Sequence, residues 1–422
     1  MTTPRVSRLP NGLTVVTSEM PHMASVSLGI WVGVGGRFEP SKLSGVSHFI
    51  EHLLFKGTRR RTAKQISQDV EGIGGYLNAF TSEEFTCFYS KARHDRIEEL
   101  LDVLTDMFLE STFQPVEIGK ERKVIKDELA MYLDQPHHHV QELLNETLWP
   151  EHPLGRSITG SVQTLDRMTR SDLTEFRQRN YVAESTLIAA AGRLSHEKLV
   201  RAVTRIAKRF SRGSRPKFTP VTAAPAGPRL RLFSKETEQT HLALGLRTCS
   251  RHDPRRYALR LLNTVLGENM SSRLFQVLRE DRGLAYSIGS SFALFDDTGV
   301  LIISGGVETE KLGEAIRLIA REIKRLTQHP VGSAELRRAK DYAIGQIDLG
   351  LEGTENQMMW LGEQLLSYGA IARIEQVKRK VLAVTAEEIR RGAREFLRPE
   401  RASLALVSSL KRDRGLNRLL RF

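Results

Sequence analysis

Apolar residues recur with helical spacing in two segments of the N-terminal half. Between Ser44, which can cap a helix, and Gly57, which can end one, they recur at intervals of three and four residues. A second run begins at Pro115, a residue suited to a first helical turn, and stops before Pro136. The pattern therefore predicts a short helix in the first segment and a helix of residues 115–134 in the second.

The two halves of the chain show the same order of predicted elements. A stretch rich in Pro, Ser, Gly and Ala, residues 211–228, separates them. On each side, strands precede a helix, a Gly-containing turn, a strand pair and another helix, which is the signature of a duplicated domain. We therefore expect an α+β fold of two similar domains, residues 1–210 and 229–422, each a mainly antiparallel sheet with helices packed on one face, joined by the linker.

The length of 422 residues allows two or more domains, and the composition is that of a globular protein. The formal charge of +13 arises from 63 Lys and Arg against 50 Asp and Glu, scattered among one another. Without a basic stripe or a nucleic-acid-binding motif, the excess predicts a solvated surface and no nucleic-acid partner. The densest basic run, residues 411–421, is interpreted as a frayed terminus or a basic arm.

Targeting and redox signals are sparse. The first residues lack a charged segment followed by a long apolar one, and no run of eighteen apolar residues occurs, so we expect no export and no membrane span. Cys87 and Cys249 are the only cysteines, which argues against a disulfide framework or a thiolate metal site. A bacterial cytoplasm is the expected compartment, and the mitochondrial matrix is the less favoured one.

The sequence HFIEH, residues 48–52, places His48, Glu51 and His52 on one face of the first predicted helix. Two neutral imidazoles at this spacing can ligate Zn²⁺, and an adjacent glutamate can take a proton from the attacking water. The order HxxEH is the reverse of the common zinc-protease order HExxH. The alternative is an ordinary polar helix face. We predict one Zn²⁺ per chain, with Glu51 as the catalytic base.

A catalytic zinc site needs a third protein ligand, and the second predicted helix offers two carboxylates. Glu121 and Glu128 are seven residues apart and therefore share a helix face. One can bind the metal while the other orients a ligating histidine. Spacing alone leaves open which glutamate does which, and whether both are ordinary surface carboxylates.

Three segments resemble motifs of the inverzincin peptidases, the group that includes pitrilysin, insulysin and the mitochondrial processing peptidases. They are HFIEHLLFKGT (48–58), GGYLNAFTSEEFTCFY (74–89) and ERKVIKDEL (121–129), and the resemblance extends over nearly the whole chain. It implies a zinc endopeptidase acting on peptides. In that group the third ligand corresponds to Glu128, and Glu121 corresponds to a carboxylate behind the ligands.

The resemblance also assigns substrate contacts. Asn78 and Ala79, with Thr81, match a segment on which an extended peptide adds as a strand. Arg279 and Tyr286 match a pair that an inactive domain contributes to the site, where they can stabilise a developing oxyanion. Members of the group with chains of this length form dimers that enclose a chamber. A homodimer is therefore expected, with a heterodimer with a related chain as the alternative.

Two departures bear on specificity and activity. The processing-peptidase branch grips a substrate arginine with two acidic residues, where this chain has His138 and Glu142, which argues against strict arginine-directed cleavage. Some members of the group are non-catalytic scaffolds or silent partner subunits. Such members usually lose part of the motif, whereas this chain keeps it, so an enzyme is the favoured prediction.

Overall fold

The computed structural model of the chain describes residues 3–222, 227–413 and 415–422. Residues 1–2, residues 223–226 of the predicted linker and Arg414 of the basic tail lie outside the described residues.

Strands and helices follow one another in short runs along the described chain. The strands are β1 (Arg5–Arg8), β2 (Thr14–Glu19), β3 (Ser25–Val32), β4 (Tyr76–Thr81), β5 (Thr86–Arg93), β6 (Thr186–Gly192), β7 (Arg229–Ser234), β8 (Thr240–Thr248), β9 (Ala285–Leu294), β10 (Gly299–Val307) and β11 (Ala402–Ser408). The helices are α1 (Val46–Leu54), α2 (Ala63–Glu71), α3 (Ile97–Glu110), α4 (Pro115–Asp134), α5 (Pro136–Leu148), α6 (Val162–Arg167), α7 (Arg170–Asn180), α8 (His196–Ile206), α9 (Arg256–Asn263), α10 (Leu312–Gln328), α11 (Ser333–Gly350), α12 (Thr354–Tyr368), α13 (Ile374–Ala383) and α14 (Ala386–Phe396). Within the described ranges, no helix is long and apolar enough to cross a membrane.

The chain forms two compact units, and each is discontinuous in sequence. The first unit consists of Met1–Leu129, Arg156–Thr219 and Leu349–Ile371. The second unit consists of Ala130–Gly155, Pro220–Asp348 and Ala372–Phe422. Each unit therefore includes one helical segment from the other half of the chain, whereas the sequence predicted two continuous domains.

The sheets of the two units have the same topology. In the first unit the strand order is β1-β2-β6-β3-β5-β4, and in the second it is β7-β11-β8-β10-β9. The pairs β2/β6 and β7/β11 are parallel, while the remaining pairs are antiparallel. Leaving β1 aside, every strand of the first sheet thus has a counterpart in the second. The predicted α+β fold of two similar domains is confirmed.

Both faces of each sheet are covered, although the sequence predicted helices on one face only. In the first unit, Leu28 and Ile30 of β3 join a core that includes α1 and α3, and Trp31 packs with Met358 of α12 on the opposite face. Gly29 and Gly362 leave space for this contact, because a Cβ on Gly29 would lie 2.7 Å from the sulfur of Met358. The central strands carry apolar side chains on both sides of the sheet, so a second layer is needed to shield them from water.

The second unit repeats this arrangement with a helix from the N-terminal half. Leu242, Leu244 and Leu246 of β8 belong to the main core with α9 and α10. Ala243, on the other face of the same strand, packs with α5. The basic tail is partly packed, since Leu420 is 1% exposed and lies within the main core of this unit.

The polar stretch after Pro136 is helical. Pro136 ends the preceding helix as expected, but it is itself the first residue of α5. His137, His138 and His139 therefore form the first turn of a helix, and His139 is buried. Proline at a first helical position loses no hydrogen bond, so one residue both ends α4 and begins α5.

Candidate metal centre

The helix α1 carries the HxxEH residues and begins differently from the prediction. Gly45, not Ser44, is its N-cap, with a φ of 93° and no side-chain hydrogen bond. The carboxylate of buried Glu39 instead accepts hydrogen bonds from the backbone N–H of Gly45 at 2.7 Å and of Ser47 at 2.8 Å. A carboxylate here satisfies donors that a helix leaves unpaired and complements the positive end of its dipole.

Two faces of α1 have distinct surroundings. The apolar residues that predicted the helix, Val46, Phe49, Ile50, Leu53 and Leu54, are at most 1% exposed and belong to the core of the first unit. His48, Glu51 and His52 share the other face, as helical spacing requires. The core contact therefore fixes the direction in which the polar face points.

The helix α4 brings its two glutamates to that polar face. Ile118, Ile125 and Leu129 anchor this helix by burial, and Glu121 is only 4% exposed. Oε2 of Glu128 lies 3.7 Å from Nε2 of His48 and 3.5 Å from Nε2 of His52. Ligands of a tetrahedral zinc ion at 2.0–2.2 Å are about 3.3–3.6 Å from each other. The three donors therefore fit a zinc ion, and among the described residues they are the one such cluster.

Glu121 lies behind the cluster. Its Oε2 is 3.1 Å from Nδ1 of His52, and its Oε1 is 2.9 Å from Nζ of Lys56. A carboxylate on the second ring nitrogen fixes the orientation of a ligating histidine and increases its basicity. The Nδ1 atom of His48, in contrast, is buried without a hydrogen-bond partner. A carboxylate behind the ligands is therefore found at His52 and not at His48.

The protonation of the two imidazoles differs. Burial lowers the pKa of His48 to about 4, and the neighbouring His52 acts in the same direction. Burial also lowers the pKa of His52, but hydrogen bonds to Glu128 and Glu121 outweigh this effect and raise it overall. His48 is therefore neutral near pH 7, as a metal ligand must be, whereas the two carboxylates at His52 favour positive charge there, whether from a proton or from a metal ion.

Glu51 is held beside the cluster without belonging to it. The hydroxyl of Thr81, at the end of edge strand β4, donates a hydrogen bond of 2.5 Å to Oε2 of Glu51. Burial raises the pKa of Glu51, and the Thr81 hydrogen bond opposes this shift. A carboxylate with a raised pKa is better matched to accepting a proton near neutral pH than an ordinary surface glutamate.

The remaining predicted site residues form two groups. Asn78 and Ala79 lie on β4 in the first unit, and the N–H of Ala79 donates to Oδ1 of Asn78 at 2.8 Å. Arg279 and Tyr286 lie in the second unit, where the guanidinium carbon is 5.0 Å from the centre of the phenol ring. Tyr286 is 78% exposed, so its hydroxyl is accessible.

Sequence reasoning missed the contacts of Lys56, Thr81 and Glu39. Lys56 carries a detectable signal, since it follows His52 by four residues and so falls near the same helix face. Thr81 matched a family segment, but nothing in the spacing indicated its bond to Glu51. Glu39 precedes α1 in an irregular segment, where no periodicity reveals a cap.

A cluster of two histidines and one glutamate beside a partly buried glutamate is a set of residues that suits metal-dependent hydrolysis. Residues 14–162 match the family described as Insulinase (Peptidase family M16), and residues 167–342 match the Peptidase M16 inactive domain. The chain belongs to peptidase family M16.

Similar proteins come from several bacteria. An uncharacterized zinc protease of Mycobacterium tuberculosis is 39% identical over 403 residues, which are 93% of this chain and 91% of that protein. The uncharacterized zinc protease YmxG of Bacillus subtilis is 35% identical over 398 residues, 94% of this chain and 96% of its own length.

Solved structures share the fold at low identity. A protease from Helicobacter pylori superposes with a TM-score of 0.91 at 20% identity and covers 96% of this chain and 99% of its own. A peptidase M16 inactive domain from Pseudomonas fluorescens gives 0.89 at 19% identity, covering 96% and 98%.

Proposed function

We propose that the chain is a zinc-dependent endopeptidase that hydrolyses unstructured peptides. The observation that carries the proposal is the convergence of His48, His52 and Glu128, whose ligand atoms lie within 4.8 Å of one another. Glu51 on the same helix face supplies a base. The zinc proteases among the relatives support the choice of metal.

The residues take complementary roles in this mechanism. His48, His52 and Glu128 hold the metal, and Glu121 orients His52. When bound there, zinc would supply Lewis-acid chemistry, polarising the peptide carbonyl and acidifying the attacking water. Glu51 accepts the proton of that water and passes it to the leaving amine.

Edge strand β4 is the proposed binding place for the peptide. Within the described sheet, β4 pairs only with β5, so its other edge can accept an added strand. Asn78 and Ala79 lie in this strand, beside its open edge. Main-chain hydrogen bonds place few demands on side chains, so this mode selects extended, unstructured substrates.

The site is proposed to be completed in a homodimer. Arg279 and Tyr286 of a second copy would hold the substrate carbonyl and stabilise the oxyanion that develops on it. Their mutual contact and the exposure of Tyr286 support this role. Because the similar zinc proteases are bacterial, we assign the enzyme to peptide degradation in a bacterial cytoplasm.

The test is hydrolysis of a mixed library of unstructured peptides by the wild type and by Glu51→Gln, read by mass spectrometry. We expect the wild type to cut and Glu51→Gln to lose activity by about 10²–10⁴-fold while zinc stays bound. The cut sites would then define the specificity. If zinc binds and neither protein cuts, the chain is a non-catalytic partner, as the match to an inactive domain would allow.

A further inference from the structure

The hydrogen bond between Thr81 and Glu51 joins the strand proposed to bind peptide to the proposed base. The donor is the last residue of β4, and the oxygen-to-oxygen distance of 2.5 Å is at the short end of the range for a hydroxyl bonded to a carboxylate. No other hydrogen bond to the side chain of Glu51 occurs within the described part of the chain. Thr81 therefore fixes one oxygen of the Glu51 carboxylate, while the other oxygen takes no part in this hydrogen bond.

The backbone holds Thr81 in place from both sides. Thr81 pairs with Thr86 of β5, and the next residue, Ser82, bonds back to Phe85 at 2.9 Å to close a turn. The carbonyl of Ser82 also accepts a hydrogen bond of 3.1 Å from the N–H of Gly36. The donor therefore belongs to a well-anchored strand end.

Strand alternation sets the direction of the hydroxyl. Leu77 and Ala79 pack against the core that contains α1, and Thr81 shares their face because alternate residues of a strand do. Phe80 points the other way and contacts Trp31 with ring centres 5.7 Å apart. A threonine at this position consequently meets α1, where Glu51 lies.

We propose that Thr81 is a positioning residue that orients the base Glu51 and links its orientation to the strand on which the peptide adds. This inference rests on the proposed function. A peptide bound along β4 would stiffen the strand that holds Thr81 and would thereby hold the carboxylate within reach of the attacking water. Since small misplacements of reacting groups cost much rate, the bond should affect turnover more than binding.

The test compares Thr81→Val, which keeps the shape and removes the hydroxyl, with Thr81→Ser, which keeps the hydroxyl. For a peptide that the wild type cuts, we expect Thr81→Val to lower kcat by about 10–100-fold with KM and zinc content unchanged. Thr81→Ser should stay within about threefold of the wild type. If Thr81→Val does not fold, Thr81→Ala serves in its place.

A second measurement needs no activity. If the hydroxyl bonds to Glu51, the changes in urea midpoint caused by Thr81→Val and Glu51→Gln should be non-additive in the zinc-free double variant, because directly coupled residues do not add. Additive shifts, an unchanged kcat, or an effect confined to KM would each overturn the inference. A wild type without any hydrolysis would instead overturn the proposed function and this inference with it.

Discussion

The two units place a helix after equivalent strands of equivalent sheets, yet the helices carry different chemistry. The helix α1 follows β3, and α9 follows β8, the strand with the same neighbours in the second sheet. Counted from the first helical residue, the positions of His48, Glu51 and His52 are occupied in α9 by Ala258, Leu261 and Leu262. All three α9 residues are buried in the main core.

The second helix pair differs in the same way. Counted from the start of each helix, Glu121 and Glu128 of α4 correspond to Ala339 and Gln346 of α11. Ala339 is also buried in the main core of its unit. One fold thus accommodates either an apolar contact or a cluster of side chains suited to hold a metal ion at this place. The side chains of two helices decide which of the two is present. Fold alone does not assign function.

The largest expected effect comes from making α4 resemble α11. Glu128→Gln replaces an anionic ligand by a neutral amide. We expect zinc affinity to fall by more than about 100-fold and hydrolysis to be lost. Removal of a residue that only orients a ligand already lowers metal affinity by about 10–100-fold, and removal of a ligand should lower it more. Zinc content after dialysis against a weak chelator measures this. Gln346→Glu in the second unit is the matched control and should leave zinc content and activity unchanged. Full zinc occupancy in Glu128→Gln would remove Glu128 from the ligand set.

The next effect concerns Tyr286, which the proposed homodimer would bring to the site of a second copy. Chains with Glu51→Gln and chains with Tyr286→Phe should each be weakly active, and their equimolar mixture should recover about a quarter of wild-type activity if two-fold symmetric dimers exchange freely. In the mixed dimer, one site has both residues intact. Subunit exchange is verified with differently tagged chains. Absence of recovery under proven exchange would argue that sites are not shared.

A smaller effect is expected at Lys56, which holds Glu121. Lys56→Met keeps the length of the side chain but removes the charge that fixes the carboxylate behind His52. We expect zinc affinity to fall by up to about tenfold, less than for Glu121→Gln, whose expected loss is about 10–100-fold. Lys126→Met is a suitable control, because this α4 lysine pairs with Asp166 at the surface. Equal affinities of Lys56→Met and the control would contradict a supporting role.

The last expected effect leaves zinc binding and hydrolysis aside: it is a pH dependence of stability at the start of α1. Burial raises the pKa of Glu39 from 4.5 to about 7, against the hydrogen bonds from Ser47 and Gly45. The folded chain therefore binds the proton more tightly than the unfolded chain, so this residue makes stability fall as pH rises from about 4.5 to 7, by up to about 3 kcal/mol. Urea unfolding of Glu39→Gln across this range should show a flatter profile than the wild type. An unchanged profile would show that Glu39 titrates normally.

The sequence and the structure agree best where a short-range pattern sets the geometry. Residues three and four apart on a helix share a face whatever surrounds them, so the common face of His48, Glu51 and His52 followed from spacing alone. The repeated order of elements likewise predicted two similar domains. The catalytic, ligand and substrate roles of the named residues stay predictions until the experiments above are made.

Contacts between distant segments were decided only by the tertiary structure. The cover of each sheet by a helix from the other half, the bond from Thr81 to Glu51 and the pair of Lys56 and Glu121 join residues that no periodicity relates. The physical reason is that local patterns fix backbone conformation and the direction of side chains. Which segments then meet depends on how apolar faces bury one another across the whole chain.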